Sequence, residues 1–301
     1  MSLPTPRPTR HPWQRVDPPL HPVLFVNPQS GNGAAGRAGV ADRARSRGIN
    51  VVTLTPGQSL TTLVDVAVTS GADALGMAGG DGSLAAVAAA AASHALPFIC
   101  VPAGTRNHFA ADLGVDRRDV AGALDAFIEG VERRIDVGEV NDRMFLNNVS
   151  LAIYGEAVRQ SAYRDAKVRT LLETAQRVLG PSRRVPALHL VDDEGREHVR
   201  LALVLVSNNP YALERPPARG TRPSLDGGQL GVVIIDTPDN GPHPPGRAWS
   251  TADLDVSAPG PVPAGIDGEA VDLQPPLHFA IRPMALRVRI PARRARTGHR
   301  P

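Results

Sequence analysis

The sequence predicts an α/β protein with a Rossmann-like open parallel sheet in its N-terminal part and a mostly antiparallel β-sandwich in its C-terminal part. Between residue 22 and about residue 136, short β-rich runs alternate with Ala-rich stretches. That alternation is typical of βαβ units. Beyond about residue 140, strand-like runs follow one another with Gly, Pro and Asp between them, which favours antiparallel strands.

Five strands are predicted in the N-terminal part: VLFVN (23–27), INVVTL (49–54), ALGMA (74–78), FICV (98–101) and RRID (133–136). The stretches between them place apolar residues at helical spacing, over 34–48, 61–71, 83–94 and 119–130. An open α/β sheet binds its ligands at the carboxyl ends of the strands. The turns that follow these runs are therefore the first places to look for a site.

The C-terminal part begins with a predicted helix over 156–180, which ends at a Gly-Pro stop signal. The predicted strands after it are ALHLVD (187–192), VRLALVLVSN (199–208), LGVVIID (230–236), ADLDVS (252–257), LHFAIRP (277–283) and ALRVRI (285–290), with 238–247 as a loop. The Pro- and Arg-rich ends, 1–20 and 291–301, are predicted to be disordered tails. We therefore expect an α/β domain over 21–138 and a β-rich domain over 139–290, and the motifs below assign nucleotide binding to the first and the substrate to the second.

The composition excludes some kinds of phosphate site and some kinds of protein. The 301 residues contain 42% hydrophobic and 21% charged residues, with a net charge of +3 and a single lysine, Lys167. A P-loop needs Gly-Lys-Ser/Thr, which is absent, so backbone amides, hydroxyls and arginines must hold any phosphates. No apolar run reaches the roughly 18 to 20 residues that cross a bilayer, and the first residues lack a signal-peptide pattern, so we expect a cytoplasmic protein. The single cysteine, Cys100, excludes a disulfide within the chain.

The most informative motif is Gly79-Gly80-Asp81-Gly82-Ser83, where the ALGMA run ends and an Ala-rich helix is predicted to begin. Glycines there let the backbone approach a phosphate, and the N–H groups at the helix start carry partial positive charge. Asp81 would then lie beside the phosphates and hold Mg²⁺ or a ribose hydroxyl. The alternative is a plain strand-to-helix turn with Asp81 as its N-cap.

Two further turns favour the phosphate interpretation. PAGTRNHFA (102–110) follows the next β run, and NPQSGNG (27–33) follows the first. Each places small or amide-exposing residues at a predicted helix start. Three such turns after strands of one sheet indicate a nucleotide site.

The motifs NPxSG, GGDGS and PxGTxN, in this order, resemble the catalytic domain of the diacylglycerol kinase and sphingosine kinase family, including its bacterial lipid kinases. The resemblance covers about 22–290. Further matching positions are Thr55, Phe145-Leu146-Asn147, Ser150, Ser207-Asn208 and Asp267-Gly268-Glu269. GGDG alone is shared with NAD kinases and phosphofructokinases, whereas PAGTRN and the late DGE separate this chain from both.

The resemblance implies an ATP- and Mg²⁺-dependent lipid kinase that meets its lipid at the membrane surface. It implies no nucleic-acid partner and no transmembrane segment, and it leaves homodimerisation open. The residues implied to line the nucleotide cleft are Asn27, Ser30, Gly31, Thr55, Gly79, Gly80, Asp81, Gly82, Ser83, Leu84, Ala85, Gly104, Thr105 and Asn107. Asp267 and Glu269, with Asp81, are the implied catalytic acids.

The acidic pair also has an independent rationale. A lipid alcohol is a poor nucleophile, so a carboxylate must accept its proton as the bond to phosphorus forms. Of Asp267 and Glu269, one could accept the proton and the other hold Mg²⁺, and the sequence does not say which. The alternative for Asp-Gly-Glu is an exposed hairpin turn without a catalytic role.

Some positions depart from the family pattern. Gln58 and His108 stand where an acidic residue is usual, and Ala152 stands where glycine is usual. The usual Asp-Asp-Gly of a structural cation site reads Asp226-Gly227-Gly228, in which Asp226 remains as the candidate metal ligand. His108 could bind phosphate as an imidazolium or be a core or surface residue. Two other functions stay open: a small-molecule kinase of the NAD kinase type, which shares GGDG and a two-domain plan, and a catalytically weak nucleotide- or lipid-binding protein, which Gln58, His108 and Gly227 suggest.

Overall fold

The computed structural model describes residues 12–151, 187–199, 201–212, 222–236 and 246–295. In chain order the strands are β1 (Gln14–Val16), β2 (Pro22–Val26), β3 (Asn50–Thr53), β4 (Ala74–Gly79), β5 (Pro97–Pro102), β6 (Gly130–Val140), β7 (Arg143–Phe145), β8 (Asn148–Leu151), β9 (Leu190–Val191), β10 (Glu197–His198), β11 (Leu201–Asn208), β12 (Leu230–Asp236), β13 (Gly246–Thr251), β14 (Asp253–Val256), β15 (Val262–Ile266), β16 (Glu269–Leu273) and β17 (Leu277–Pro291). The helices are α1 (Ser30–Arg37), α2 (Val40–Arg45), α3 (Leu60–Thr69), α4 (Asp81–Ser93), α5 (His108–Asp112), a 3₁₀ helix (Gly122–Phe127) and α6 (Ala292–Ala295). The predicted helix 156–180 lies outside the described residues.

The predicted fold class is confirmed: a mixed α/β sheet comes first and a separate antiparallel sheet follows. In the first sheet, β3, β2, β4 and β5 are parallel neighbours in that order. Every residue of β2, β4 and β5 is buried, as expected for parallel strands covered by helices on both faces. Because these strands share one direction, the turns at their carboxyl ends lie on one edge of the sheet.

The fifth predicted strand, RRID, was wrongly assigned to the parallel βαβ series. It is part of β6, which pairs antiparallel with β17. The stretch before it forms only a 3₁₀ helix instead of the predicted crossover helix. β17 lies between β5 and β6 and runs parallel to β5, so β6 runs opposite to the parallel strands.

The strands predicted as LHFAIRP and ALRVRI are one strand, β17, which joins the first sheet and lies parallel to β5. A register shift between Arg282 and Leu286, with Met284 at φ +55°, lets β17 continue past the irregularity. Both β6 and β17 contribute side chains to the two hydrophobic cores. The expected boundary at residue 138 therefore falls inside β6, and the C-terminal strand completes the N-terminal sheet.

The second sheet has six antiparallel strands in the order β13-β12-β11-β8-β15-β16. Its core face alternates with a second face along β8 and β11, so that Val149 and Val206 enter the core while Ser150 and Ser207 do not. The pair β15 and β16 is the edge of this sheet that carries the Asp-Gly-Glu motif. The element of this sheet that carries the motif is therefore the β-hairpin of β15 and β16.

Parts of both predicted disordered tails form regular secondary structure. Residues 14–16 form β1, which pairs with β6 through Gln14–Glu132 and Val16–Gly130. The Trp13 ring lies 4.7 Å from the Arg133 guanidinium carbon. At the other end, β17 includes Pro291 and is followed by α6. Within the described ranges, no helix combines the length and apolar character needed to span a membrane.

Candidate active site

The three predicted glycine turns meet at the carboxyl edge of β2, β4 and β5. A Cβ atom on Gly31 would lie 2.5 Å from the Ala103 carbonyl oxygen, and one on Gly104 would lie 2.5 Å from Gly80 Cα. Real Cβ atoms do not approach so closely, so only glycine permits these backbone contacts. The three turns therefore form one continuous main-chain surface.

The first turn differs from the regular helix start that was predicted. Gly31, Asn32 and Gly33 have φ of 57°, 55° and 84°, so the left-handed region interrupts α1. Asn27 Oδ1 accepts the Gln29 N–H at 3.0 Å and fixes the entry to the turn. Arg37 donates to the Gly31 and Asn32 carbonyls, which places a guanidinium beside the turn.

The second turn is the helix start that the sequence predicted. Gly80 is extended, at φ −85° and ψ 171°, and α4 begins at Asp81 without a side-chain cap. The first N–H groups of a helix have no intrahelical acceptor, so this end favours an anion. Leu84 differs from its predicted position in the cleft: its side chain is fully buried in the core and its N–H donates to the Gly80 carbonyl at 2.9 Å.

In the third turn, Asn107 holds the loop together. Its Oδ1 accepts the Gly104 N–H at 2.8 Å and its Nδ2 donates to the Gly104 carbonyl at 2.9 Å. The residue is buried and has φ +53°, a conformation that asparagine tolerates better than most residues. Asn107 therefore shapes the turn, while the neighbouring Thr105 is exposed.

A fourth turn follows β3 at the same edge of the sheet. The Thr55 N–H donates to Gln58 Oε1 at 3.0 Å, and the Gln58 N–H donates to the Thr55 carbonyl at 3.2 Å. Gln58 thus closes its own turn, which explains how an amide is accommodated where the family has an acid.

Asp267 and Gly268 are the two central residues of a hairpin between β15 and β16, closed by the Ile266–Glu269 pair. Both have positive φ, 49° and 91°, as in the tight turns that favour Asp-Gly. The alternative of a simple hairpin turn is therefore half right, because the motif does form a turn. However, Asp267 is only 8% exposed.

Three backbone N–H groups bind the Asp267 carboxylate. Leu146 N donates to Oδ2 at 2.8 Å, and Asn147 N and Asn148 N donate to Oδ1 at 2.7 and 3.2 Å. Burial raises the pKa of Asp267 from 3.8 to about 6. The hydrogen bonds from Leu146, Asn147 and Asn148 lower the pKa, and the negative charge of Asp81 raises it. A raised pKa of this kind suits a group that exchanges a proton near neutral pH.

Glu269 brings the hairpin onto the second glycine turn. A Cβ atom on Gly82 would lie 2.8 Å from Glu269 Cγ and would overlap the carboxylate. On the other side of the hairpin, a Cβ atom on Gly268 would lie 3.6 Å from Arg106 Nη1. The acidic hairpin therefore lies between the second and third turns, with a guanidinium beside it.

Asp81 lies between two helix starts. Besides opening α4, its carboxylate faces the start of α5, with oxygens 3.5 Å from His108 N and 3.4 Å from Phe109 N. Burial lowers the pKa of His108 more than the Asp81 charge raises it, and Arg106 lowers it further. These effects favour the neutral ring, and phosphate binding by His108 as an imidazolium stays a prediction.

Asp226 is used within its own loop. Its Oδ1 accepts the Ser224 hydroxyl at 2.6 Å, while Gly228 N donates to the buried Asp136 carboxylate at 2.7 Å. Among the described residues, no group of three or more His, Cys, Asp or Glu side chains is arranged to hold a metal ion. The predicted role of Asp226 as a metal ligand stays a prediction.

The sequence reasoning missed Arg222 and Asp112. Arg222 is buried and ion-paired with Asp112 at 2.6 Å, and it donates to the segment that binds Asp267. The only signal in the sequence is an arginine next to a proline in a loop, which is too common to single out.

Comparison with known proteins finds a family match in the N-terminal part of the chain. Residues 21–140 match the diacylglycerol kinase catalytic domain. The predicted resemblance is confirmed over that range. A diacylglycerol kinase of Mycobacterium tuberculosis is 34% identical over 124 residues, which is 40% of each chain. The similarity to the first such relatives therefore spans well under two thirds of their length.

Two other proteins are similar over nearly the whole chain. A Pseudomonas aeruginosa protein named "Probable lipid kinase YegS-like" is 28% identical over 298 residues, covering 90% of this chain and 94% of its own. The crystal structure of a diacylglycerol kinase from Bacillus anthracis has a TM-score of 0.62 at 16% identity, covering 90% of this chain and 96% of its own. At that identity the structural likeness shows a shared fold.

Proposed function

We propose that this protein is an ATP-dependent lipid kinase that transfers the γ-phosphate to a lipid hydroxyl. The observation that carries the proposal is the acidic hairpin seated on the glycine turns: Glu269 against Gly82, and Asp267 buried beside it. The similarity to lipid kinases supports the choice of acceptor. The NAD kinase alternative shares GGDG but lacks that support.

The polyphosphate would lie on the main-chain surface of the three turns. The start of α4 and the left-handed turn at Gly31–Gly33 present N–H groups, and Arg37 and Arg106 supply positive charge in place of a P-loop lysine. The lipid hydroxyl would approach from the hairpin side. Asp267 then accepts its proton as the hydroxyl oxygen bonds to the γ-phosphorus and the bond to the ADP oxygen breaks.

The residues present fit a Mg²⁺ ion bound together with nucleotide. Mg²⁺ is usually held by one or two carboxylates plus phosphates and water, so a site without a protein cage is the expected kind. Asp81 and Glu269 would hold it, and it would neutralise the developing charge on the phosphates. Asp267 is left as the base, because three amides already engage its oxygens and its pKa is close to neutrality.

The test is lipid phosphorylation by the purified protein with labelled ATP, using diacylglycerol, a sphingoid base and NAD as separate acceptors. We expect a labelled lipid, and label in NAD alone would support the NAD kinase alternative. Asp267→Ala should lower the rate of transfer about 10²- to 10⁴-fold and leave ATP affinity within about twofold of wild type. A wild-type rate of lipid phosphorylation in that variant would refute the role of Asp267. ATP binding without any acceptor-dependent turnover would favour the weak binding protein.

A further inference from the structure

Arg222 uses every hydrogen-bond donor it has, in a site where its side chain is completely buried. Nε and Nη2 donate to Asp112 Oδ2 at 2.8 and 2.6 Å, and Nη2 also donates to Asn147 Oδ1 at 2.9 Å. Nη1 donates to the Leu146 carbonyl and, at 2.9 Å, to the Asn208 carbonyl. A guanidinium has five N–H donors, so all are engaged, and a lysine could replace at most three of them.

One peptide group connects Arg222 to the acid. The carbonyl of Leu146 accepts from Arg222, and the N–H of the same peptide unit, on Asn147, donates to Asp267 Oδ1 at 2.7 Å. Because the peptide is planar, fixing its carbonyl fixes the direction of its N–H. Hydrogen bonds in such a chain polarise and strengthen each other.

Through Asp112, Arg222 is also connected to the glycine turns. Asp112 is the last residue of α5, and the first residues of α5 face the Asp81 carboxylate. The chain of contacts therefore runs from Asp81 through α5 to Asp112, then through Arg222 to Asp267. It spans the two sheets, because Asp112 follows β5 and Asp267 follows β15.

We propose that Arg222 is a positioning residue for Asp267, an inference that rests on the proposed function. It sets the orientation of the acid through the Leu146–Asn147 peptide group, and it ties the acid to the helix behind the third glycine turn through Asp112. Arg222 does not touch the reacting atoms. Its loss should therefore lower the rate of transfer without weakening ATP binding.

The first test measures the hydrogen bond itself and needs no activity. Amide hydrogen exchange of the segment containing residues 146–148 should be at least about tenfold faster in Arg222→Met than in wild type. The matched control is Arg293→Met, since Arg293 is an ion-paired but 55% exposed arginine, and it should leave this segment unchanged. If Arg222→Met does not fold, Arg222→Met with Asp112→Leu removes both buried charges together and allows the same measurement.

The second test is kinetic. Arg222→Met should lower kcat about 10- to 100-fold with the KM for ATP within about twofold, and Arg222→Lys should recover only part of the loss. In an Asp267→Asn background, Arg222→Met should cause no further loss, because the residue acts through Asp267. Full additivity of the two losses, or unchanged exchange at 146–148, would overturn the inference. The two failures can be told apart. If Arg222→Met speeds exchange at 146–148 but the wild-type protein phosphorylates no lipid, the contact between Arg222 and the Asp267 segment stands and the proposed function is wrong.

Discussion

Glu269 occupies the space that a side chain on Gly82 would need, so the acidic hairpin and the second glycine turn fit together only because residue 82 has no Cβ. This contact joins residues 187 positions apart in the sequence. A substitution at Gly82 should therefore change the catalytic rate more than the melting temperature.

Gly82→Ala should lower kcat about 10- to 100-fold by displacing the Glu269 carboxylate. The flexible Glu269 side chain can move, and alanine favours helix relative to glycine, so the melting temperature should stay within a few degrees. The control is Gly36→Ala, in α1, where an added Cβ meets nothing within 4 Å. Equal activity of the two variants would contradict the proposed seating of the hairpin.

Gly31→Ala should weaken ATP binding by more than about tenfold. The new Cβ would lie 2.5 Å from the Ala103 carbonyl, and the residue has φ +57°, so the first and third turns must separate. Gly48→Ala is the matched control, because Gly48 has φ +77° but open space around it. Isothermal titration with ATP measures the affinity of each variant. Equal ATP affinities of Gly31→Ala and Gly48→Ala would contradict a specific role for the contact between the first and third turns.

Activity and stability should respond to pH in opposite directions at Asp267. The base must be ionised, so kcat/KM should fall about tenfold per pH unit below the pKa of about 6. A carboxyl group whose folded pKa is raised stabilises the fold below its unfolded pKa of 3.8, and this contribution is lost as pH rises through about 6. The free energy of unfolding of wild type relative to Asp267→Ala should therefore increase from pH 7 to pH 4. A constant difference across this range would contradict the raised pKa.

Arg106→Ala should reduce kcat about tenfold or more, because its guanidinium lies beside the hairpin at Gly268, and the proposed mechanism brings the negative charge of the transferred phosphoryl group to this place. Arg106→Lys should restore part of the rate. Arg45→Ala serves as control, since Arg45 forms an exposed pair with Asp42 on α2. Steady-state kinetics with saturating lipid distinguishes the two, and a wild-type rate for Arg106→Ala would exclude the residue from transfer.

Several features could be predicted from the sequence because they depend on neighbouring residues. The parallel strands β2, β4 and β5 are apolar runs followed by small-residue turns, and both signals are local. The second turn begins α4 as predicted. Leu84 shows the limit of this reasoning, because membership of a motif did not reveal that its side chain belongs to the core.

By itself, then, the sequence determined the class of fold, the positions of the three turns and the start of α4 at the second turn, since turn and helix-start signals follow short-range rules. Only the tertiary structure decided that β17 returns to the first sheet, that the Leu146–Asn148 amides bind Asp267, and that Arg222 donates to the Leu146 carbonyl and Asn147 Oδ1 in the same segment. These contacts join residues roughly 75 to 190 positions apart, where burial and hydrogen-bond satisfaction over the whole fold, rather than local propensity, select the partner.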